Sequence, residues 1–535
     1  MTHHLRWLLP CALLSLLLTG CASLPDDPGP RSYTTAVPVP AQGPATPLDR
    51  LAQASMPGAT VGESGFRVLL GSNALDARLH LLRSAQRSLD LQYYHLHNDA
   101  TGRLVLRELR NAAQRGVRVR LLLDDLYTDD IEPLLSALGA YPHVEVRLFN
   151  PFAARGSLAR RYGAALLDFA RVNRRMHNKM LVADGALAVA GGRNLGNEYF
   201  WRGNEANFFD VDLLIAGAVV PQMSSIFDEY WNAPQVRPAN AVLPVPALSG
   251  DALRRDFDQR VDGPDTPDWV SYRGPDPSGL PPLVDELATR RVVMVRGTAQ
   301  AFADSPAKAW GQMETARLPS GAVLDNSRRL LSANLRGARQ DIWMVSPYLV
   351  PDAAAIEGMA ANIQRGVHIH LLTNSLAATD EPVVHTGYRR YRDNMLRAGV
   401  QIHELHPELS RRMVASDLPS SATLLRMHTK FGVVDKQRLF IGSVNFDPRS
   451  ERLNTEFGIL VESPALAAEA QRMVELLAKT AAYRVRLKEG TERDLQWVDD
   501  YSSGVQELVE REPGASLWMR AKLYVQSILI PESLL

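Results

Sequence analysis

"RRMHNKMLVADGALAVAGGRN", residues 174–194, sets a histidine two residues ahead of a lysine, an aspartate seven residues past that histidine, and a Gly-Gly corner that closes on asparagine. A second stretch, "MHTKFGVVDKQRLFIGSVN" at 427–445, repeats the arrangement. His428, Lys430, Asp435, Gly442 and Asn445 stand at the offsets of His177, Lys179, Asp184, Gly191 and Asn194. "HNKMLVAD" and "HTKFGVVD" read as strands, in which residues i and i+2 share a face and i+7 takes the other. Each histidine and lysine therefore point one way, and Asp184 and Asp435 are expected behind them as structural partners. The strands that follow, "ALAVAGG" and "RLFIGS", run back to Gly191–Gly192 and Gly442–Ser443. Small residues there are expected to let a ligand approach the backbone, with the Asn194 and Asn445 amides as donors.

The repetition extends outward. "RSLDLQYYHL" (87–96), "TGRLVLRELRNAAQRG" and "VRVRLLLDD" give strand, helix and strand, and "RQDIWMVSPYL" (339–349), "AAIEGMAANIQRG" and "VHIHLLTN" replay that order. "VEVRLFNP" (144–151) and "VQIHELHP" (400–407) precede the histidine stretch of each half. Strands alternating with helices predict an α/β fold of two similar α/β/α halves, mostly parallel in pairing and related by a pseudo-twofold around one shared site. At 535 residues and 46% hydrophobic content, two such units have the material for a large core. The boundaries read as 61–260 for the first half, 261–490 for a connecting segment with the second half, and 491–535 for a C-terminal tail.

Each half offers one imidazole, one ammonium and one amide, and two such sets across one cleft suit a phosphodiester. One histidine attacks phosphorus while the other, protonated, gives its proton to the leaving alcohol. Lys179, Lys430, Asn194 and Asn445 would hold the non-bridging oxygens as charge builds. No metal or cofactor is expected: lysine is not a routine metal ligand, and clustered His, Cys or carboxylate partners at ligand spacing are lacking. A histidine nucleophile needs an orienting carboxylate on its other nitrogen. "RLNTEFGILV" supplies Glu456, 28 residues past His428, and aligning "EFGILV" with "DVDLLI" puts Asp210 in the corresponding slot of the first half after a five-residue insertion. Glu205 sits at the ungapped offset.

The paired HxKxxxxD motifs with trailing GG or GS and Asn resemble the phospholipase D superfamily over residues 60–490. "NRRMHNKMLVADG", "GGRNLGNEYF" and "NFFDVDLLIAGAVV" are most similar to its bacterial cardiolipin synthase C type. That resemblance implies phosphatidyl transfer through a phosphatidyl-histidine, with His177 as the nucleophile and His428 as acid and base. A phospholipid acceptor would give cardiolipin, and water would give phosphatidic acid. A metal-independent nuclease uses the same motifs, but 59 basic residues against 59 acidic leave no net charge for tracking a nucleic acid.

Both cysteines, Cys11 and Cys21, lie in the first 21 residues, which read as a targeting segment with an apolar run from Trp7 to Leu18. "LTGC" ahead of Ala22 resembles a bacterial lipobox, so residues 1–21 are expected to be a lipoprotein signal peptide with Cys21 acylated. The Pro-rich stretch 22–60 then reads as an extended tether. The expected location is the periplasmic side of a membrane in a bacterial envelope, with phospholipids and a membrane surface as partners. Arg155, Arg160, Arg161, Arg171, Arg174 and Arg175 crowd the approach to the first motif, either steering anionic head groups or forming a solvated helix face. "YRRYRDNMLRAG" (388–399) reads as a surface helix, and "SLWMRAKLYVQSILIPESLL" as an interfacial segment or a packed terminal helix.

Overall fold

A computed structural model describes residues 32–37, 44–156, 158–271, 273, 279–407, 424–491, 494–500 and 507–529. Residues 1–21, and with them Cys21, lie outside the described residues.

In the first half the strands Ser88–Tyr93, Arg118–Asp124 and Val144–Phe149 pair in parallel. Their connections carry the helices Ala100–Gln114 and Glu132–Leu138. The first of these starts where the Asp99 carboxylate accepts the Gly102 N–H, and it buries Leu104, Val105 and Leu109. Both faces of the parallel strands are covered, and "RVRLLLD" is buried from Val119 to Asp124. Beyond Ser88–Tyr93 the pairing turns antiparallel through Met180–Ala183, Leu187–Gly191, Asp212–Gly217 and Glu63–Leu69. Within the main sheet of this half parallel pairing is thus confined to three strands, and the motif strand joins them antiparallel.

The second half repeats this plan. Asp341–Val345, His368–Asn374 and Gln401–Leu405 are parallel, while Phe431–Val434, Arg438–Gly442, Phe457–Glu462 and Val295–Ala303 continue the sheet antiparallel. Glu63–Leu69 and Val295–Ala303, which hold matching places in the two halves, pair antiparallel with Gly65 opposite Arg296. One sheet therefore runs through both halves about a pseudo-twofold at that seam. A single buried cluster crosses it, with Met176, Met180 and Phe209 from one half against Trp343, Met427 and Phe431 from the other. Continuous burial of this kind fixes the halves relative to each other.

Three expectations need correction. The tether is partly folded: Pro47–Ser55 is a helix with a Thr46 capping box and buried Leu48 and Leu51. Ahead of it, residues 32–37 lie along the first half, where Arg118, Arg120 and Arg147 donate to the carbonyls of Thr35, Thr34 and Ser32. The helix read as 388–399 is Pro382–Arg397, and it is not merely a surface element. Its Tyr388 and Arg392 are buried on Glu404, and the helix Leu517–Leu529 packs across it. The tail also extends the sheet, since Ala482–Leu487 pairs with Leu495–Asp499 and that strand with Glu507–Val509.

Asp184 and Asp435 sit at the hairpin corners in the left-handed region, with φ of 56° and 55°. The Asp184 carboxylate accepts the backbone N–H groups of Gln86, Arg87 and Ser88 at 2.7–3.1 Å. Asp435 does the same for Arg339, Gln340 and Asp341. Each aspartate ties the motif hairpin to the first strand of its parallel set. Hydrogen bonds to a charged group contribute about 1.5–3 kcal/mol each, less where the donors are exposed as at Arg339 and Gln340, so each carboxylate with three such bonds pins its hairpin.

Candidate active site

The halves meet at the histidines through short pieces of backbone pairing. Leu424–Met427 runs parallel to Ala206–Phe209, with Met427 opposite Phe209, and the His428 N–H donates to the Phe209 carbonyl at 2.9 Å. On the other side Met176 bridges Thr455, and the His177 N–H donates to the Thr455 carbonyl at 2.8 Å. The residue after Phe209 is Asp210 and the residue after Thr455 is Glu456. Each histidine is therefore delivered to a carboxylate of the opposite half: His428 Nδ1 lies 2.8 Å from Asp210 Oδ2, and His177 Nδ1 lies 3.5 Å from Glu456 Oε1. Each carboxylate thus meets the histidine of the opposite half, a pairing that spacing within one half does not show. Glu205, exposed ahead of the ribbon strand, does not occupy the slot, whereas Asp210 is fully buried.

The two pairs are not equivalent. Burial would raise the Asp210 pKa, but the His428 hydrogen bond and the charges of His428, Arg193 and Lys430 hold it below the ordinary carboxylate value. Asp210 is thus ionised, the His428 Nδ1–H donates to it, and Nε2 is left for proton transfer. Glu456 is raised by burial, and its oxygens accept from the Ser443 hydroxyl at 2.5 Å and the Ser450 hydroxyl at 2.6 Å. Its backbone N–H donates to Asp304 Oδ2 at 2.9 Å, and Lys308 Nζ sits 3.0 Å from Asp304 Oδ1. His177 is held well below its ordinary pKa by burial, then by Lys179, Lys430 and His428. His428 is lowered by burial and Lys430 but raised back by Asp210. Both imidazoles are lowered, His177 the further, while His428 has the closer carboxylate, a division suited to nucleophile and proton donor.

Lys179 and Lys430 are each 1% exposed, and each Nζ donates to the carbonyl of its own motif histidine. Burial and the charge of Lys430 press Lys179 down to about 7, and burial presses Lys430 down to about 8. Two buried lysines side by side disfavour each other's charged form, and an anion entering beside them would favour it. A phosphodiester supplies that charge.

The remaining residues divide by role. Asn194 Oδ1 accepts the His95 N–H and its Nδ2 donates to the Tyr199 hydroxyl, so it braces the loop after Ser88–Tyr93 instead of standing as a free donor. Asn445 is 1% exposed, and its Oδ1 has no hydrogen-bond partner among the described residues. At the glycine corners, a Cβ on Gly192 would stand 2.7 Å from Asp210 Oδ1, and one on Gly442 would stand 2.2 Å from the Phe457 carbonyl oxygen. Gly191 likewise faces Asp212 at 2.0 Å. The small residues make room for the carboxylate-bearing strand, not for a ligand, and Ser443 is a hydrogen-bond donor to Glu456.

Sequence reasoning missed Tyr94 and Tyr348. The Tyr94 ring centroid lies 4.3 Å from that of His177 and 5.1 Å from Lys179 Nζ. Tyr348 lies 6.5 Å from the His428 ring and donates its hydroxyl to Asp380 at 2.7 Å. Both follow the first strand of the repeated unit, within stretches already recognised as repeats. Ser450 and Lys308 had no such signal. Four of the six arginines before the first motif are held by contacts within the fold. Arg155 pairs with Asp125 and Glu132, Arg171 with Asp168 and Arg175 with Asp124, while Arg161 is buried over Phe152. One cluster of metal-type ligands occurs among the described residues, His97, Asp99 and Glu198, and both Asp99 oxygens already accept backbone N–H groups of Gly102 and Asn197.

Two matches to the sequence profile described as "Cardiolipin synthase, PLD-like domain", at residues 79–231 and 331–477, each contain one histidine–lysine motif. The chain belongs to this family. It is 35% identical over 495 residues to cardiolipin synthase C of Escherichia coli, an alignment covering 91% of this chain and all of that one. Cardiolipin synthase A of Pseudomonas fluorescens is 25% identical over 413 residues, covering 76% of this chain and 67% of that protein. The crystal structure of phosphatidylserine synthase from Haemophilus influenzae shares the fold, with a TM-score of 0.51 at 11% identity over 88% of this chain and 95% of that one. The match to the PLD-like family, in two copies with one histidine each, agrees with two similar halves around a shared centre.

A pH dependence follows from the centre. Lys179, Lys430 and the proton donor His428 must all carry a proton, and all three are lowered in the free protein. As pH rises through these values protons are lost and kcat/KM declines, with the His428 proton, held below the ordinary imidazole value, lost ahead of those of the two lysines. A bound diester anion raises each group again, so the alkaline limb of kcat lies higher than that of kcat/KM. Initial rates across the pH range check this, and a kcat/KM constant to pH 9 would contradict it.

Proposed function

We propose that the protein is a phosphatidyltransferase that makes cardiolipin from phosphatidylglycerol and a second phospholipid. The observation that carries this reading is the pair of histidines, each with a carboxylate of the other half at its Nδ1, beside two buried lysines. The full-length likeness to cardiolipin synthase C supports it.

In the reaction so read, His177 Nε2 attacks the phosphorus of a donor phospholipid. The bond from phosphorus to the head-group oxygen breaks, and that oxygen takes the proton of His428 Nε2. Phosphatidyl-His177 remains, with Lys179 and Lys430 holding the non-bridging oxygens. The now neutral His428 accepts the proton of a phosphatidylglycerol hydroxyl, that oxygen attacks phosphorus, the phosphorus–nitrogen bond breaks, and cardiolipin leaves with His177 restored. Asp210 keeps His428 in the required tautomer throughout.

The envelope setting belongs to the same proposal: a Cys21-acylated lipoprotein held on the periplasmic face of a membrane, acting on lipids rather than on nucleic acid. On the terminal helix, Leu517 and Trp518 are 77% and 76% exposed, which supports contact with a lipid surface. No helix among the described residues is long and apolar enough to cross a membrane.

The test is lipid mass spectrometry after incubating the purified protein with vesicles of head-group-labelled phosphatidylglycerol and phosphatidylethanolamine in EDTA. Cardiolipin is expected, and the label released identifies the donor. Phosphatidic acid without cardiolipin would replace this reading with that of a phospholipase D hydrolase.

A further inference from the structure

Beside the catalytic centre lies a cavity of about 690 Å³ whose lining includes none of the catalytic histidines, lysines or carboxylates. It opens between the helices Ser327–Arg336 and Ala353–Gln364. Leu335, Ile342, Met344, Leu349, Met359 and Phe446 give it an apolar floor. Leu349 follows Tyr348 and bridges Phe446, which itself follows Asn445, and the lining residue Glu451 follows Ser450. The same two chain segments thus face the centre with one residue and the cavity with the next.

The rim is cationic. Arg174, Arg328, Arg329, Arg336 and Arg452 border the cavity, against Asp352 and Glu451. Arg329 pairs with Asp325, but no ion pair is present among the described residues for Arg174, Arg328, Arg336 or Arg452. Elsewhere in the molecule buried arginines hold carboxylates, as Arg78 holds Asp212 and Arg392 holds Glu404. Arg328 departs from that rule. Its guanidinium lies 4.4 Å from the Phe446 ring centroid, its buried Nε has no hydrogen-bond partner, and burial lowers its pKa. An unpaired guanidinium over an apolar floor is an incomplete arrangement that an anion with a hydrocarbon tail completes.

Gly358 supplies an independent sign. It lies within the helix Ala353–Gln364, where glycine weakens a helix relative to alanine, yet a Cβ built on it meets nothing within 4 Å. No close neighbour demands glycine. What its missing side chain preserves is the open volume of the cavity that it lines.

We propose that this cavity seats the acceptor phospholipid, with an acyl chain on the Leu335–Phe446 floor and its phosphate at Arg328. The inference rests on the phosphatidyl-transfer reading: transfer between two lipids brings in a second phosphodiester that is not attacked, and that phosphate needs a cationic seat beside the lysines. The acceptor's terminal hydroxyl then reaches phosphatidyl-His177 from the cavity side.

The test compares product ratios. In Gly358→Phe, which fills the cavity, and in Arg328→Gln, cardiolipin relative to phosphatidic acid is expected to fall at least tenfold, while total head-group release stays within about twofold of the parent. Retained release shows that the variants are folded. In a second arm, the inactive His177→Ala protein is mixed with dioleoyl-phosphatidylglycerol in detergent and read by native mass spectrometry. Gly358→Phe in that background should bind the lipid at least tenfold more weakly, and inorganic phosphate should not displace it from the parent. Unchanged product ratio and unchanged lipid retention in Gly358→Phe would overturn the proposal, as would displacement of the lipid by phosphate alone. If the parent makes only phosphatidic acid, the transfer reading fails on that result and the acceptor assignment falls with it. The retention arm then still tells whether the cavity holds lipid.

Discussion

His177→Ala and His428→Ala are each expected to lower kcat/KM by about 10⁴ or more, and to do so in different ways. Without His177 no nitrogen is available to take the phosphatidyl group, and the centre keeps only its anion-binding lysines. Without His428 the nucleophile remains, but the head-group oxygen has no proton donor and the acceptor hydroxyl has no base. A donor that leaves without protonation separates the two cases. With phosphatidyl-p-nitrophenol, His428→Ala should release about one equivalent of p-nitrophenolate per protein and then stall, whereas His177→Ala should release none. The difference arises because removing one member of a unit leaves the steps that do not use it. Rapid-mixing absorbance reads both results, and equal bursts in the two variants would contradict the assignment of roles.

The second large effect falls on the carboxylates. Asp210→Asn is expected to cost about 10³ to 10⁴ in kcat, because the amide offers no ionised acceptor to His428 Nδ1 at 2.8 Å and so no longer selects the tautomer with Nε2 free. Glu456→Gln should cost less, about 10². The His177–Glu456 separation is 3.5 Å, and the Ser443 and Ser450 hydroxyls that hold the carboxylate can also hold an amide. Asp210→Asn should also impair release of a natural head group far more than release of p-nitrophenolate, since its partner is the proton donor. Equal losses in the two variants with both substrates would show that the carboxylates act only as structural supports.

Much of this was legible in the sequence because the chain says it twice. The strands Ser88–Tyr93, Arg118–Asp124, Asp341–Val345 and His368–Asn374 fall inside the runs read as strands, and the crossover helices Ala100–Gln114 and Ala353–Gln364 each begin one residue ahead of the runs read as helices. Their apolar periodicity was unambiguous, and each copy checked the other. The hairpin return after each motif strand was legible, but the antiparallel pairing of the motif strand with the first strand of the parallel set was hidden, since composition does not set pairing direction. Asp210 was found through its apolar flank, but its partnership was not. Asp210 and His428 are 218 residues apart, and nothing in the spacing within one half announces a contact with the other. The extra residues before Asp210 have a physical use: they include the strand Ala206–Phe209, which pairs with Leu424–Met427 and carries Asp210 across, where the other side makes do with one bridge at Thr455. Lys308 and Ser450 were invisible for a plainer reason. Their side chains act through buried contacts with Asp304 and Glu456 that no periodicity marks.

In the proposed mechanism one histidine from the first half carries the phosphatidyl group while the second half supplies the proton. The measurement that tests it most directly is peptide mass spectrometry of His428→Ala protein quenched in alkali after the p-nitrophenolate burst, conditions in which a phosphorus–nitrogen bond to histidine survives. The account predicts a single phosphoryl-type adduct on the peptide containing His177. An adduct elsewhere, or a full burst with no adduct at His177, would contradict it.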